Sequence, residues 1–153
     1  MTHITLAVTG SISAYKAADI TSQLTKLGIE VKVLMTPSAQ KFITPLTLQV
    51  LSKNPVGLEV MVEDDPQRIE HIDIGKETDL FLVAPASANT IAKLAMGLAD
   101  NMVTSTALAL PQRTKKLLAP AMNTKMLEHP ATQRNLKLLQ DYGYQIIPVS
   151  YTH

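Results

Sequence analysis

Short apolar runs alternate along this chain with longer stretches whose apolar residues recur every three or four positions. Four of the runs are partly β-branched and end at Gly, Pro, Ser or Thr, which is typical of buried strands. They lie at residues 4–8, 31–35, 80–84 and 117–119. Weaker runs at 57–60 and 145–147 predict two further strands.

The stretches between these runs have the period of amphipathic helices. The first predicted helix follows Ser13, a candidate N-cap, and stops at Gly28. A second apolar stripe runs from Ile91 to Leu98, and a third helix opens at Pro130 and closes at Gly143. Shorter helices are predicted at 45–53, 70–78 and 101–110.

Strands that alternate with helices form right-handed βαβ units around a parallel sheet. We therefore predict an α/β fold, a three-layer, doubly wound parallel sheet with helices on both faces. The length of 153 residues suits one domain, and we assign residues 1–153 to it. The polar segment 63–68 is predicted to be a surface loop, with a lid over the site as the alternative.

Composition limits the classes of function. Charged residues make up 18% of the chain and hydrophobic residues 46%, against a charged share of about 25% in typical domains. This balance excludes disorder and favours burial of some surface between subunits. The formal net charge of +1 leaves no basic stripe for nucleic acid.

Cysteine content and apolar run length bear on the compartment. The chain has no cysteine, which excludes disulfides, thiolate metal sites and catalytic thiols. The longest apolar run, 80–86, is far shorter than the ~20 residues that cross a bilayer. Because no targeting segment is evident either, we expect a soluble cytoplasmic protein.

The candidate chemistry lies in the loops that follow the predicted strands. In an open parallel sheet, ligands bind beyond the carboxyl ends of the strands, where helix N-termini expose free N–H groups. The four loops there carry small hydroxyl or amide side chains and no charge. They are 9–13 (TGSIS), 36–38 (TPS), 84–90 (APASANT) and 120–124 (PAMNT). Helix capping would explain any one loop, whereas all four together predict a site for a phosphate and a flat heterocycle.

The glycine pattern narrows the choice of ligand. Gly10 stands alone, whereas a dinucleotide fingerprint needs three spaced glycines. The second strand ends in Met35 and Thr36, without the acidic residue that holds an adenosine ribose. A Walker A loop and a Gly-x-Ser-x-Gly elbow are also absent, which disfavours an ATPase and a serine hydrolase. A mononucleotide such as FMN fits better than NAD.

One histidine is a candidate base. His71 lies near the start of the predicted helix 70–78, where the helix dipole disfavours imidazolium and leaves a neutral ring that can accept a proton. The alternative for His71 is an ordinary surface histidine. His129 precedes Pro130 and is predicted to cap a helix. Histidines and carboxylates nowhere have metal-ligand spacing, so we predict no metal.

Five motifs, in order along the chain, carry a family resemblance. They are 8–16 (VTGSISAYK), 71–73 (HID), 84–93 (APASANTIAK), 97–101 (GLADN) and 120–126 (PAMNTKM). The last, Pro-x-Met-Asn-x-x-Met, is the most specific. With these motifs the chain resembles the flavin-dependent cysteine decarboxylases, most closely the branch that acts on 4'-phosphopantothenoylcysteine in coenzyme A biosynthesis.

The resemblance implies a flavodoxin-like or Rossmann-like fold with FMN at a contact between subunits of a homotrimer, which can assemble further into a dodecamer. It implies His71 as the active-site base and Asn123 as the residue that holds the substrate carboxylate, with Met126 also in contact with substrate. The residues implied to bind FMN are Gly10, Ser11, Ile12, Thr36, Ser38, Ser87, Ala88, Asn89, Thr90 and Ala121.

The chain departs from the family pattern at two points. Leu127 stands where an aromatic residue commonly follows the last Met of the motif, which we interpret as a tolerated change in packing. The coenzyme A enzymes also continue into a flap whose Ala-Cys-Gly segment supplies a proton for the reductive half of the reaction. Because the chain lacks cysteine, we expect it to bind FMN and to carry out oxidative decarboxylation without that reduction.

Three alternatives remain open from the sequence. A peptidyl-cysteine decarboxylase releases an enethiol and needs no flap cysteine. A flavin prenyltransferase shares the fold and FMN, but leaves His71 and the Pro-x-Met-Asn motif unexplained. A flavoprotein subunit without catalytic activity agrees with the missing cysteine.

Overall fold

The computed structural model describes residues 1–59 and 70–148, apart from the side chains of residues 70 and 71. Its strands are β1 (His3–Val8), β2 (Glu30–Met35), β3 (Leu80–Ala86), β4 (Lys115–Pro120) and β5 (Tyr144–Ile146). Its α-helices are α1 (Lys16–Lys26), α2 (Pro45–Ser52), α3 (Glu70–Glu77), α4 (Ala88–Met96), α5 (Met102–Leu108), α6 (Thr124–Glu128) and α7 (Pro130–Asp141). Single 3-10 turns at Ile12–Tyr15 and Ser38–Lys41 follow β1 and β2.

The five strands form one parallel sheet in the order β2-β1-β3-β4-β5. Ile4 of β1 lies opposite Val31 of β2 on one side and Leu80 of β3 on the other. After β1 the chain adds β2 on one side of it, then crosses back and adds β3 on the other side. Such a reversal between β1 and β3 opens a crevice at their carboxyl ends, which is where ligands bind in open α/β sheets.

Each face of the sheet has its own apolar core. On one face, Phe81 and Leu118 pack with Ile91 of α4, Met102 of α5 and Leu139 of α7. On the other, Leu6, Val33 and Met35 pack with Ala17 of α1 and Leu48 of α2. Helices thus cover both faces, and the predicted three-layer, doubly wound architecture is confirmed.

The predicted elements are present with small shifts in their ends. The weak strand prediction at 145–147 corresponds to β5. The one at 57–60 is reduced to a bridge between Gly57 and Leu34, and residue 60 lies outside the described residues. The segment 63–68 also lies outside them.

Two predicted helix ends were wrong. Ser13 does not cap the first helix, because a 3-10 turn precedes α1; Ser11 caps that turn, and its hydroxyl accepts the Ser13 N–H at 3.1 Å. The second helix stops at Met96 instead of continuing to Leu98. Gly97 adopts the left-handed conformation with φ of 74°, which ends α4 and leaves Leu98 half-exposed.

Candidate ligand site at the carboxyl edge of the sheet

The four polar loops meet at one edge of the sheet and are joined by hydrogen bonds. The Thr36 N–H donates to the Val8 carbonyl at 3.1 Å, which joins the ends of β2 and β1. The Ala121 N–H donates to the Ala86 carbonyl at 3.0 Å, which joins the ends of β4 and β3. Because these are backbone bonds, the relative positions of the loops are set by the sheet itself.

Thr9 joins the first and third loops through its side chain. Its hydroxyl is fully buried, donates to the Pro85 carbonyl at 2.6 Å and accepts the Ser87 N–H at 2.8 Å. A hydroxyl can serve as donor and acceptor at once, so both polar backbone groups are satisfied. Sequence reasoning placed Thr9 in a candidate loop without this role, since its partners are far away along the chain.

Gly10 brings the first and second loops together. A Cβ at Gly10 would lie 2.8 Å from the Ser38 Cβ, so any larger residue would displace Ser38. Thr36 is buried with its hydroxyl 3.4 Å from the Ser38 hydroxyl. The glycine therefore permits a close backbone approach that leaves Gly10, Thr36 and Ser38 as one small polar cradle.

The third loop leads into the N-terminus of α4. The Ser87 hydroxyl caps this helix by accepting the Thr90 N–H at 3.2 Å, and Thr90 is buried. No partner among the described residues takes the N–H groups of Ala88 and Asn89, as is usual in the first turn of a helix. Together with the helix dipole, these free N–H groups favour an anion.

The fourth loop exposes an amide beside a thioether. The Asn123 carbonyl oxygen caps α6 by accepting the Met126 N–H at 2.9 Å. Because the oxygen is used in this way, the two N–H donors of the Asn123 amide point away from the helix end. Asn123 is exposed, Met126 is 45% exposed and Ala121 is half-buried.

His71 lies in the first turn of α3, and only its backbone is described. α3 crosses back between parallel strands, so its first turn points toward the edge where the strands end. A Cβ on Gly75 would lie 2.9 Å from the Ala109 carbonyl oxygen, so α3 sits tightly against the chain beyond α5. The start of α3 is thus directed to the candidate site, and the place of the imidazole within it stays a prediction.

A cavity of about 220 Å³ opens beside the loops. Its lining includes Ser13, Ile20, Pro85 and Ala121, and Lys16 is the charged residue among the described residues that line it. Ile12 precedes the lining residue Ser13 on the first loop and is 58% exposed. Sequence reasoning missed Lys16 as a lining residue, although the motif at 8–16 contains it.

These features suit a planar cofactor that carries a phosphate. The loops offer hydroxyls, amides and free N–H groups but no charged side chain, so an anion meets no repulsion from a carboxylate. The described residues contain no group of three or more His, Cys, Asp or Glu side chains placed to hold a metal ion. They also contain no helix that is long and apolar enough to cross a membrane.

Comparison with known proteins gives matches over most of the chain. The family model described as Flavoprotein matches residues 1–152. A probable phosphopantothenoylcysteine decarboxylase of Streptococcus mutans is 66% identical over 94% of this chain and 80% of its own length. The coenzyme A biosynthesis bifunctional protein CoaBC of Bacillus subtilis is 46% identical over 97% of this chain, which spans 36% of that longer protein.

Solved structures give the same picture. The FMN-dependent cysteine decarboxylase TvaF from thioviridamide biosynthesis superposes with a TM-score of 0.88 and 34% identity, over 96% of this chain and 90% of that one. A variant of PPC decarboxylase complexed with pantothenoylaminoethenethiol superposes with a TM-score of 0.84 and 31% identity, over 96% of this chain and 81% of that one.

Proposed function

This chain belongs to the Flavoprotein family, and on that basis we propose that it catalyses the FMN-dependent decarboxylation of the cysteine moiety of 4'-phosphopantothenoylcysteine, a step of coenzyme A biosynthesis. The observation that carries the proposal is the 66% identity to the Streptococcus mutans protein over 94% of this chain. The reaction makes the enzyme a carboxy-lyase, and residues 1–153 form its flavoprotein domain.

The four loops are assigned to the cofactor. With FMN bound there, the site would supply the two-electron oxidation of the cysteine side chain to a C=S group, which would permit loss of carbon dioxide from the neighbouring carbon. The N-cap Ser87 and the first residues of α4, 88–90, offer the N–H and O–H donors that an anionic group needs. Gly10, Ser11 and Ile12 of the first loop, Thr36 and Ser38 of the second and Ala121 of the fourth complete the set.

His71 is assigned as the base. Oxidation of the cysteine side chain requires removal of its thiol proton, and a neutral imidazole can accept it. The position of His71 in the first turn of α3 disfavours a charged ring, because the helix dipole is positive there. The proton therefore moves from the substrate sulfur to a ring nitrogen of His71.

Asn123 is assigned to the substrate carboxylate. Its carbonyl oxygen is occupied by the Met126 N–H, so its amide N–H donors are the groups left for a carboxylate oxygen. A neutral donor orients the carboxylate without a positive charge that would oppose loss of carbon dioxide. Met126, in the first turn of the helix that Asn123 caps, contributes an exposed apolar contact.

The first test measures flavin retention and then carbon dioxide release. Chain incubated with FMN and freed of excess should keep a flavin absorption spectrum and release carbon dioxide from 4'-phosphopantothenoylcysteine. His71→Asn should keep the flavin and lower the rate of release by about 10²- to 10⁴-fold. His3→Asn is the matched control, because His3 begins β1 at the opposite edge of the sheet.

Three results would count against the assignments. A folded protein without flavin would overturn the cofactor site. Full activity in His71→Asn would overturn the base. Flavin without carbon dioxide release in the unaltered chain would favour a flavoprotein subunit that has no catalytic activity of its own.

The role of Asn123 is tested by replacing its amide with a charged group. Asn123→Asp keeps an oxygen to cap α6 but replaces the N–H donors with a negative oxygen, so KM for the substrate should rise at least about tenfold. Asn123→Ser also keeps the cap and should raise KM less, since it adds no repulsion. Steady-state kinetics on flavin-loaded protein measure both, and an unchanged KM in Asn123→Asp contradicts the assignment.

The product distinguishes the oxidative from the complete reaction. The 153 residues contain no cysteine, and we assign to them the oxidation and decarboxylation that yield an enethiol. Mass spectrometry of the product separates the enethiol from 4'-phosphopantetheine, which is heavier by two hydrogens. Formation of 4'-phosphopantetheine by this chain would show that another group supplies the proton.

A peptidyl-cysteine decarboxylase is the second candidate. In its support, the peptidyl-cysteine decarboxylase EpiD superposes with a TM-score of 0.81 and 30% identity, over 97% of this chain and 88% of that one. The two candidates are distinguished by measuring kcat/KM for two substrates in parallel. One substrate is a peptide that ends in cysteine, and the other is 4'-phosphopantothenoylcysteine.

The assembly is proposed to be a homotrimer or a dodecamer in the cytoplasm, with the flavin at a contact between subunits. In support, Phe42, Leu46 and Val50 lie four residues apart and are each 46–66% exposed, as an apolar stripe on α2 and the turn before it. Light scattering should give three or twelve times the chain mass of 16.7 kDa. A monomer that keeps flavin would refute the subunit contact.

A further inference from the structure

A second cavity lies at the opposite edge of the sheet from the polar loops. Its volume is about 380 Å³. Lys116 and Tyr144 line it from the starts of β4 and β5, and the last turns of α4 and α5 close its sides. None of the residues assigned to FMN or substrate contributes to it.

The walls of this cavity are largely apolar. Leu94, Ala107 and Leu110 lie within, while Met96 and Leu108 stand at the rim with about half of their surface exposed. Large apolar side chains that surround an opening are a common feature of ligand pockets. The volume is also in the range that small organic ligands occupy.

Lys116 is the one charged side chain among the described residues that line the cavity. Its ammonium donates to the Tyr142 carbonyl at 2.7 Å and lies 5.0 Å from the centre of the Tyr144 ring. The ion pairs of the described residues do not include it. Burial lowers the pKa of Lys116, so its positive charge is held there at some cost.

An ammonium has three N–H donors, and the Tyr142 carbonyl takes one of them. The described residues thus offer Lys116 a neutral acceptor and a ring face but no anion. A carboxylate at this point would accept the remaining N–H groups of Lys116 and balance its positive charge. The apolar walls would contact the carbon skeleton attached to that carboxylate.

From this arrangement we infer that the cavity is a binding site for a small amphipathic acid, one carboxylate on an apolar body. The carboxylate pairs with Lys116, and the body lies between the last turns of α4 and α5. The site is separate from the proposed flavin site, and its occupation does not depend on the proposed reaction.

The test uses 4-phenylbutyrate and octanoate as acids and 4-phenylbutanol as the neutral match. Calorimetric titration of flavin-loaded protein should give one saturable site per chain for an acid, with at least about tenfold weaker binding of the alcohol. Lys116→Met should weaken acid binding by a similar factor and leave alcohol binding unchanged. Lys115→Met is the matched control, since Lys115 is the exposed neighbour on the same strand.

A second variant tests the cavity instead of the charge. Ala107→Leu fills part of the space and should weaken the acids and the alcohol alike, with thermal unfolding as the check on its fold. Absence of saturable binding by both acids overturns the inference, as does equal binding to unaltered chain and Lys116→Met. Loss of assembly in Leu108→Asp would assign the rim to a subunit contact and also overturn it.

Discussion

At the scale of single residues, Thr9 shows how one hydroxyl organises the candidate site. It contacts the Pro85 carbonyl and the Ser87 N–H, which lie just before the start of α4. Four residues earlier, within β1, the buried Thr5 hydroxyl lies 2.7 Å from the Thr78 hydroxyl at the opposite edge of the sheet. Both threonines are buried, but Thr9 joins two backbone groups at one edge of the sheet, whereas Thr5 contacts a side-chain hydroxyl at the other.

Thr9→Val should lower the free energy of unfolding by about 1–3 kcal/mol, because the Ser87 N–H loses its acceptor and the Pro85 carbonyl keeps only the 3.3 Å bond from the residue 9 N–H. It should also weaken FMN binding, since the Ser87 loop loses its anchor. Thr5→Val should lower stability to a comparable extent without affecting FMN. Denaturant unfolding and flavin titration measure the two effects, and equal loss of FMN affinity in both variants would contradict the role of Thr9.

At the scale of elements, the helix ends depend on side-chain caps that also connect helices. The side-chain oxygen Oδ1 of Asn101 accepts the Thr104 N–H at 3.0 Å, and the Thr104 hydroxyl accepts the Asn101 backbone N–H at 3.2 Å, which together form a capping box. Just before this N-terminal cap of α5, Asp100 forms an ion pair with Lys93 of α4 at 2.7 Å. The Lys93 ammonium holds the pKa of the Asp100 carboxyl below its usual value.

Asn101→Ala should lower the free energy of unfolding by about 0.5–2 kcal/mol, because α5 loses its cap and the burial of Asn101 leaves little water to replace it. Asn101→Ser should keep most of the stability, since serine also caps helices well. Denaturant unfolding of the two variants decides this, and equal losses would show that packing around Asn101 matters more than its cap.

At the scale of the whole molecule, a polar cluster holds together the starts of three strands. Asp79 accepts the His3 N–H at 2.8 Å and lies 3.4 Å from the Arg113 guanidinium, which also donates to the Lys76 carbonyl. The Thr114 hydroxyl donates to the Thr78 carbonyl at 2.8 Å. The His3 N–H is the main cause that lowers the pKa of the Asp79 carboxyl, and Arg113 adds to it.

The pKa of the Asp79 carboxyl is lower in the folded state than in the unfolded state. Its ionisation therefore stabilises the fold at pH values above the unfolded-state pKa, and this contribution is lost as pH falls through the folded-state pKa. The gap in Tm between the unaltered chain and Asp79→Ala should be widest near neutral pH and narrow below about pH 4. Asp141→Ala, at the exposed end of α7, is the control. A difference in Tm that stays constant with pH would show that the charge of Asp79 does not stabilise the fold.

The sequence alone determined the elements and their chemistry. Apolar runs, helical periods and Gly or Pro ends depend on neighbours within a few residues, so β1, β3, α2 and α7 were predicted close to their observed bounds. The four polar loops were predicted for the same reason. The end of α4 was wrong because an apolar stripe does not reveal that Gly97 turns left-handed.

Only the tertiary structure decided how those parts meet. The order β2-β1-β3-β4-β5, the contact of Thr9 with Pro85 and the approach of Gly10 to Ser38 join residues far apart in the chain. No local pattern encodes such pairs, since they depend on how strands align and helices stack. The Lys116 cavity arises in the same way, where the ends of two helices and two strands converge.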